Sequence, residues 1–212
     1  MTIQFFLKFG KKKHIESLQN GEFYAATLID FKKDLGHMRY DPMEGVTSIH
    51  HLAGNYIQLR EKETDEWKKL NITRGQLNYW LDASKVHSYS LFYISEEQTR
   101  NENHFSIPEN MKKYGDYYLV IKNPRKFIKM LIMAFDKKGY KYIYDTISYY
   151  DPTKDHDKLG FFHKANNHSN EKEFRILIES ELGYPVILNI GSLKNISDVM
   201  HINQYVGLNF QW

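Results

Sequence analysis

The apolar residues of this chain fall mostly in short runs, several of which alternate with polar residues at a period of two. Such alternation is typical of β-strands with one face buried. We predict strands at 3–9, 22–26, 86–94, 117–122, 140–145, 171–181 and 186–190. We also expect residues 49–60 to be extended and 61–66 to form a charged turn.

Helical spacing is confined to few segments. Lys11–Asn20 is followed by Gly21, a residue suited to the left-handed position beyond a helix end. Asn123 is suited to an N-cap and Pro124 to the first helical position, and apolar residues follow at helical spacing at positions 127, 130, 131 and 134 up to Gly139. We predict helices over both segments and one or two helical turns over 27–33.

The remaining segments are predicted loops: 34–48, the polar stretch 95–103, the polar stretch 151–170, and a loop or short helix over the last twenty residues. Strands outnumber helices, and no repeat or linker divides the chain. We therefore predict a single α+β domain over residues 1–212. Its twisted, largely antiparallel sheet carries few packed helices and is either continuous or split into two small sheets that share a core.

Composition excludes several classes of protein. Hydrophobic residues make up 42% of the 212 residues, so the chain is not of the disordered class. The absence of cysteine excludes disulfides, thiolate metal sites and a cysteine nucleophile. The basic run Lys11–Lys13 follows the first apolar run instead of preceding it, and no window reaches the roughly 18 apolar residues of a membrane span. We expect a cytoplasmic protein without a membrane partner.

Three segments combine polar residues in ways that a fold alone does not require. The candidates are Lys8, Tyr24 and Thr27 in the first segment, Arg39, Asp41 and Glu44 in the second, and Lys164, Glu171, Glu173 and Arg175 in the third.

These segments resemble a widespread family of bacterial domains. Its members carry a short helix, Asn-Gly and a tyrosine-bearing strand, then Asp and Glu in a loop, and late in the chain Lys followed by Glu-x-Glu-x-Arg. The corresponding residues here are Asn20-Gly21 with Tyr24, Asp41-Pro-Met-Glu44, and Lys164 with Glu171, Glu173 and Arg175. The family has no settled activity, and its members are suspected of roles in phage or stress defence.

The order of the candidates also resembles that of ADP-ribosyltransferases, which cleave NAD in a cleft. The resemblance implies that Glu173 stabilises the ribose cation, Glu171 assists the acceptor, Lys8 holds a phosphate and Tyr24 packs on nicotinamide. A carboxylate near the ribose would stabilise oxocarbenium character, and residues i and i+2 of a strand face the same way. The chain departs from the enzymes in having Lys8 where they have Arg or His, and in lacking a Ser-Thr-Ser run.

The same residues also allow interpretations without this chemistry. Glu171, Glu173 and Arg175 also fit a charged ladder on the solvent face of a strand, and Lys8 fits a surface lysine. Asp41 and Glu44 also fit a simple turn. The histidines at 156, 163 and 168 lack the tight spacing of a zinc site, and the cations at 137, 138 and 141 accompany tyrosines, as in single-strand nucleic-acid binders.

Two classes of function therefore remain open. The first is an ADP-ribosyltransferase-like or NAD-hydrolysing protein with a toxin or phage-defence role, acting on a protein or nucleic-acid target. The second is a non-catalytic protein that binds a defence effector or a phage component, with a nucleic-acid-binding domain as a further alternative. If the first holds, Lys8, Tyr24 and Glu173 should meet in one cleft, with Arg39, Asp41 and Glu44 at its rim.

Overall fold

The computed structural model describes residues 2–29, 41–54, 56–102, 104–204 and 207–209. It is an α+β fold dominated by antiparallel strands, as predicted. The strands are β1 Ile3–Gly10, β2 Glu22–Thr27, β3 Val46–His51, β4 Tyr56–Arg60, β5 Trp67–Asn71, β6 Gln76–Trp80, β7 Val86–Ser95, β8 His104–Ser106, β9 Tyr117–Ile121, β10 Lys141–Thr146, β11 Ser148–Tyr150, β12 His163–Ala165, β13 Glu173–Glu179, β14 Val186–Asn189, β15 Ser197–His201 and β16 Gly207–Asn209. The helices are α1 Lys12–Gln19, α2 Glu96–Asn101 and α3 Pro124–Lys138, with 3₁₀ segments at Glu109–Tyr114, Asn166–Glu171 and Lys194–Ile196.

Within the described residues, the main sheet has eight strands and is split. Six of them lie in the order β10-β13-β7-β1-β9-β15, and the β2–β14 pair joins at β7. One edge of β7 pairs with β13, whereas the other edge is shared by two strands. β1 pairs with the C-terminal part of β7 from Phe92 to Ser95, and β2 pairs with its N-terminal part at His87 and Ser88. β1 and β2 therefore diverge where β7 passes residues 89–91, and a cleft opens between them.

Apolar residues cover both faces of this sheet. β1 shows why: Phe6 belongs to the cluster under α3, whereas Leu7 and Phe9 belong to a second cluster on the opposite face. Phe6 contacts the rings of Phe127 on α3 and Phe174 on β13, with ring centroids 6.1 and 4.8 Å apart. The strands β1, β7, β9 and β13 are thus largely buried on both sides, whereas β2 and β14 alternate between buried and exposed residues as predicted.

Helix α3 forms as its local sequence predicts. Asn123 Oδ1 accepts a hydrogen bond from Lys126 N at 2.9 Å, and Pro124 occupies the first helical turn. Phe127, Leu131 and Phe135 are buried at helical spacing. Gly139 ends the helix at φ 71°, a left-handed conformation that costs glycine little.

Three predicted loops are wrong in part. Residues 96–101 form α2, which begins with a capping box between Ser95 and Gln98. The stretch 163–171 contains β12 and a 3₁₀ segment, and in the last twenty residues the 3₁₀ segment Lys194–Ile196 fits the expected short helix, whereas β15 and β16 were not predicted. These short strands form because a neighbouring segment pairs with each of them, which the local pattern does not reveal.

The predicted extended segment 49–60 is two strands separated by a turn at residues 52–54, and the loop before it ends earlier, where β3 begins at Val46. Of the helical turn predicted over 27–33, Thr27 instead ends β2 and residues 28 and 29 are helical, while the rest of it and most of the loop after it lie outside the described residues. None of the helices in the described residues is both long and apolar enough to cross a membrane.

The segment between β2 and β7 forms a separate two-stranded structure. β3 pairs with β6, and β4 pairs with β5, all antiparallel. Leu52 N donates to Gly75 O and Gly54 N to Ile72 O, so the two pairs are consecutive parts of one ribbon. We call residues 46–80 the arm; its outer part, β4 with β5, is exposed at every position.

Candidate functional site

The cleft at the split is lined by residues from each of the candidate segments. Its empty space is about 840 Å³ when the open solvent at its mouth is included. β1 contributes Lys8, β2 contributes Tyr24, and β7 contributes Ser90. The charged residues Glu44, Lys164, Glu171, Glu173 and Arg175 line the same cleft, and together we call them its charged wall.

Glu173 and Arg175 lie on the same face of β13 and are buried, at 4% and 2% exposure. The interpretation of these residues as a charged ladder on a solvent face is therefore wrong. β13 lies between β7 and β10, and the segments around Glu44 and Phe161 cover the face that carries both side chains. Charges buried this deeply need partners, because desolvation otherwise makes them too costly.

Arg175 finds these partners on two sides. Its Nη1 and Nη2 atoms donate to Glu44 Oε1 and Oε2 at 2.5 and 3.1 Å, and its Nε donates to Glu173 Oε1 at 2.7 Å. Phe161 O accepts a further hydrogen bond from Nη1. Burial lowers the pKa of Arg175, but the carboxylates of Glu173 and Glu44 outweigh it and the pKa is raised. Burial raises the pKa of Glu44, although Arg175 and Lys164 act against it.

Lys164 bridges the two carboxylates of the Glu-x-Glu pair. Its Nζ atom lies 3.0 Å from Glu171 Oε2 and 2.6 Å from Glu173 Oε2, and its side chain is only 12% exposed. Burial opposes its charge, yet Glu173 and Glu171 raise the pKa of Lys164 above its ordinary value. The structure thus places Lys164, which comes before the Glu-x-Glu pair in the sequence, in direct contact with both glutamates of that pair.

Glu171 is not on the strand that was predicted to hold it. β13 begins at Glu173, and Lys172 adopts φ 36°, so the period-two argument for one shared face does not apply. Glu171 ends a 3₁₀ segment and reaches the cleft from there, where Glu171 Oε1 accepts a hydrogen bond from Tyr114 Oη at 2.9 Å. Burial raises the pKa of Glu171, but hydrogen bonds from His168, Lys164 and Tyr114 hold it well below its usual range.

Glu173 is held in one orientation. Its Oε1 accepts from Ser90 Oγ at 2.5 Å, and its backbone N–H donates to Tyr149 Oη at 3.1 Å. Burial raises the pKa of Glu173, but the charges of Arg175 and Lys164 lower it by more, and the resulting pKa is about 2. Glu173 is therefore a carboxylate, not a carboxylic acid, at neutral pH.

Lys8 and Tyr24 line the same cleft as Glu173. Lys8 Nζ donates to Ser90 O at 2.6 Å and lies 4.0 Å from the centroid of the Tyr89 ring. Tyr24 is half-exposed, at 50%, and lies beside Ile187 on the neighbouring strand. The structure thus brings Lys8, Tyr24 and Glu173 to one cleft, while the chemical roles assigned to them remain predictions.

The rest of the candidate set lies elsewhere. Thr27 is buried opposite His87 and Asp41 is buried in the loop before β3, where its Oδ1 accepts from Met43 N at 2.9 Å; neither lines the cleft. Glu44 is a buried part of the charged wall and not a rim residue. Arg39 lies outside the described residues.

Some cleft residues were missed by sequence reasoning. Tyr114 lines the cleft from the 3₁₀ segment 109–114, and its neighbour Lys113 also approaches Glu171 Oε1; nothing in their local sequence marks either residue. Ser88 and Ser90 did carry a signal, since two small polar residues at period two interrupt an otherwise apolar strand. Among the described residues, no group of three or more His, Asp or Glu is arranged to hold a metal ion.

Comparison of the chain with protein-family models, with curated proteins and with solved structures found no match.

Proposed function

We propose that the split-sheet cleft binds NAD and cleaves its nicotinamide–ribose bond, passing the ADP-ribosyl group to an acceptor or to water. The observation that supports this proposal is the wall of the cleft, where Lys164 holds Glu171 and Glu173 side by side as ionised carboxylates. Their pKa values are lowered despite burial, so both are charged at neutral pH.

An ionised carboxylate suits this particular bond. When the bond between ribose C1′ and the pyridinium nitrogen breaks, its electron pair moves to that nitrogen and nicotinamide leaves as a neutral molecule. The leaving group needs no proton, whereas an ordinary glycosidase keeps one carboxyl group protonated to serve as an acid. The positive charge that develops on the ribose is what a fixed carboxylate stabilises.

Glu173 has capacity left for a ligand. A carboxylate accepts about four hydrogen bonds, and within the described part of the chain Glu173 receives them from three side chains, Ser90, Lys164 and Arg175. Its position at the cleft wall makes it our choice for the group nearest the ribose cation.

The other cleft residues then take complementary roles. Tyr24 offers an exposed ring to the nicotinamide, and Lys8 offers an ammonium group to a phosphate. Glu171 orients the acceptor hydroxyl by accepting its hydrogen bond. Because the pKa of Glu171 is low, the proton of the acceptor passes on to solvent once the new C–O bond has formed.

A second candidate function, a non-catalytic binding protein, is favoured by the pairing within the wall. Arg175 and Lys164 together neutralise most of the charge of Glu44, Glu171 and Glu173, as expected of a network that shapes a recognition surface without reacting. In that case the cleft would bind a polar ligand or a loop of a partner protein.

Two measurements on the purified protein separate these functions. A ligand that binds only the native state adds RT ln(1 + [L]/Kd) to stability, so NAD should raise the melting temperature, and nicotinamide should be released on incubation. Tyr24→Ala removes an exposed cleft ring and should abolish the NAD-induced shift. Tyr184→Ala, which removes a tyrosine that is 63% exposed and does not line the cleft, is the matched control and should keep it.

An unchanged melting temperature together with no nicotinamide release by the wild-type protein would refute the NAD proposal and favour the binding protein. A toxin or defence role adds a cellular expectation: the wild-type chain should slow growth when expressed, and Tyr24→Ala should not. The acceptor in that role would be a protein or a nucleic acid.

A further inference from the structure

The outer part of the arm exposes apolar residues. Among the described residues, its strands β4 and β5 pair only with each other. Each residue of β4 and β5 is exposed, including Tyr56, Leu59 and Trp67 at 53%, 50% and 62%. A lone two-stranded hairpin is marginally stable in water and usually requires a third strand or a packed face. The arm therefore presents a surface that a partner would stabilise by covering it.

The strand register divides this surface into two different faces. Ile57 pairs with Leu70 and Leu59 with Lys68, so three aliphatic residues share what we call the aliphatic face. On the opposite, aromatic face, Lys69 Nζ lies 3.8 Å from the centroid of the Tyr56 ring, and Arg60 lies 6.0 Å from that of Trp67. The cations already cover these rings, so bases of a nucleic acid could stack on them only by displacing the cations.

Charge is distributed unevenly along the arm. The tip, residues 61–66, contains four acidic residues and one lysine, a net charge of −3. The shaft, residues 56–60 and 67–75, contains four cations and no acidic residue, a net charge of +4. Within each arm Arg60 already pairs with Asp65 and Lys68 with Glu61, whereas among the described residues Glu63 at the tip and Arg74 on the shaft form no ion pair. Two arms that point the same way would bring like charges together at these two positions, whereas two that point in opposite directions would bring Glu63 of one copy toward Arg74 of the other.

The register makes this complementarity specific. Gln58 pairs with Lys69 in the middle of the two strands, Glu63 lies in the turn beyond one end of them, and Arg74 lies in the bend beyond the other end. A two-fold axis beside the Gln58–Lys69 pair would thus bring Glu63 of one copy to the same end of the interface as Arg74 of the other. The same axis would place the two aliphatic faces against each other.

We propose that the arm is a dimerisation element, and that its partner is the antiparallel arm of a second copy of this chain. A two-fold interface is self-complementary, so one patch serves both copies, and the apolar contact and the paired ends repeat by symmetry. Dimerisation through the arm does not depend on the chemistry of the cleft, because the arm residues do not line the cleft. It is tested by the molecular mass of the protein in solution, which does not require any activity.

The first test measures the mass of the full chain in solution by light scattering after size exclusion, over a range of protein concentrations. The expected mass is twice the 25.3 kDa of the chain. Leu59→Lys places a charge on the aliphatic face and should raise the dimer dissociation constant at least about tenfold. Gln58→Lys adds the same charge one position away on the aromatic face, and should leave the dimer intact.

The second test reverses the end charges. Arg74→Glu and Glu63→Lys should each weaken the dimer when pure, and an equimolar mixture of the two variants should recover it, because the mixed dimer restores opposite charges at both ends. Added salt should weaken this recovery by screening. Circular dichroism serves as the folding control, since all four substituted side chains are exposed.

A chain that stays monomeric at every concentration would overturn the proposal, as would a dimer that Leu59→Lys leaves unchanged. Binding of a single-stranded DNA probe by a monomer, with loss of that binding in a Lys69→Glu variant, would overturn it in favour of a nucleic-acid arm.

Discussion

Arg175 and Glu44 form a bidentate ion pair although 131 positions separate them in the sequence. The guanidinium and the carboxylate are both almost completely buried. The pair connects β13 to the loop that leads into the arm, and Arg175 also holds Glu173, so one side chain couples the arm base to the charged wall of the cleft.

We expect Glu44→Gln to destabilise the protein by about 3–5 kcal/mol, because the substitution leaves part of the charge of Arg175 buried and uncompensated. The measurement is the free energy of unfolding in urea at neutral pH. The matched control is Glu181→Gln, which breaks the exposed Lys85–Glu181 pair and should cost far less, because solvent screens an exposed ion pair. Equal losses of unfolding free energy in the two variants would show that the buried pair stabilises the protein no more than the exposed pair does.

Stability should fall as the pH drops from about 4.5 to about 2. The pKa of Glu173 is lowered from 4.5 to about 2 in the folded protein, so its contribution is present above the unfolded-state pKa and is lost as pH falls through the folded one. Glu171, whose pKa is also lowered, acts in the same direction, and Glu44, whose pKa is raised, acts against it.

The check is urea unfolding at a series of pH values across that range. Glu173→Gln removes the titrating group and should flatten the acid loss of stability, whereas Glu181→Gln should leave it as in the wild type. An acid slope that Glu173→Gln does not change would assign the loss to other carboxylates.

Glu173→Gln should also slow nicotinamide release about 100- to 1000-fold, the usual cost of removing one well-placed stabilising group. Because Glu173 is buried between Arg175 and Lys164, the variant will also be less stable, so its rate must be measured well below its own melting temperature. A folded Glu173→Gln protein with the wild-type rate would exclude Glu173 from the chemistry.

Gly139→Ala should destabilise the protein by about 1–2 kcal/mol, since φ 71° is strained for a residue with a Cβ atom. Gly183→Ala is the matched control: it lies in open space without a left-handed φ and should change stability by no more than about 0.5 kcal/mol. The readout for both is the midpoint and slope of urea unfolding. Equal effects would mean that the helix end does not require glycine.

The sequence by itself determined the elements whose signals are local. Helix α3 is an example, since its cap at Asn123, its apolar stripe and its end at Gly139 all lie within one continuous segment. The α+β class and the antiparallel sheet followed from the number and spacing of the apolar runs. The capping box at Ser95 and Gln98 is an equally local signal, but the polar composition of residues 95–103 led to the prediction of a loop where α2 forms.

Only the tertiary structure decided whether the charged residues face water or each other. The alternation of Glu173 and Arg175 is the same for a wet strand face and for a buried wall, because period two says which residues share a face and not what covers it. Here the covering comes from Glu44 and Phe161, which are distant in sequence, and Lys164 then supplies the charge that Glu171 and Glu173 need. Burial of an ion pair is a property of the whole fold, since it depends on which segments exclude water from both partners at once.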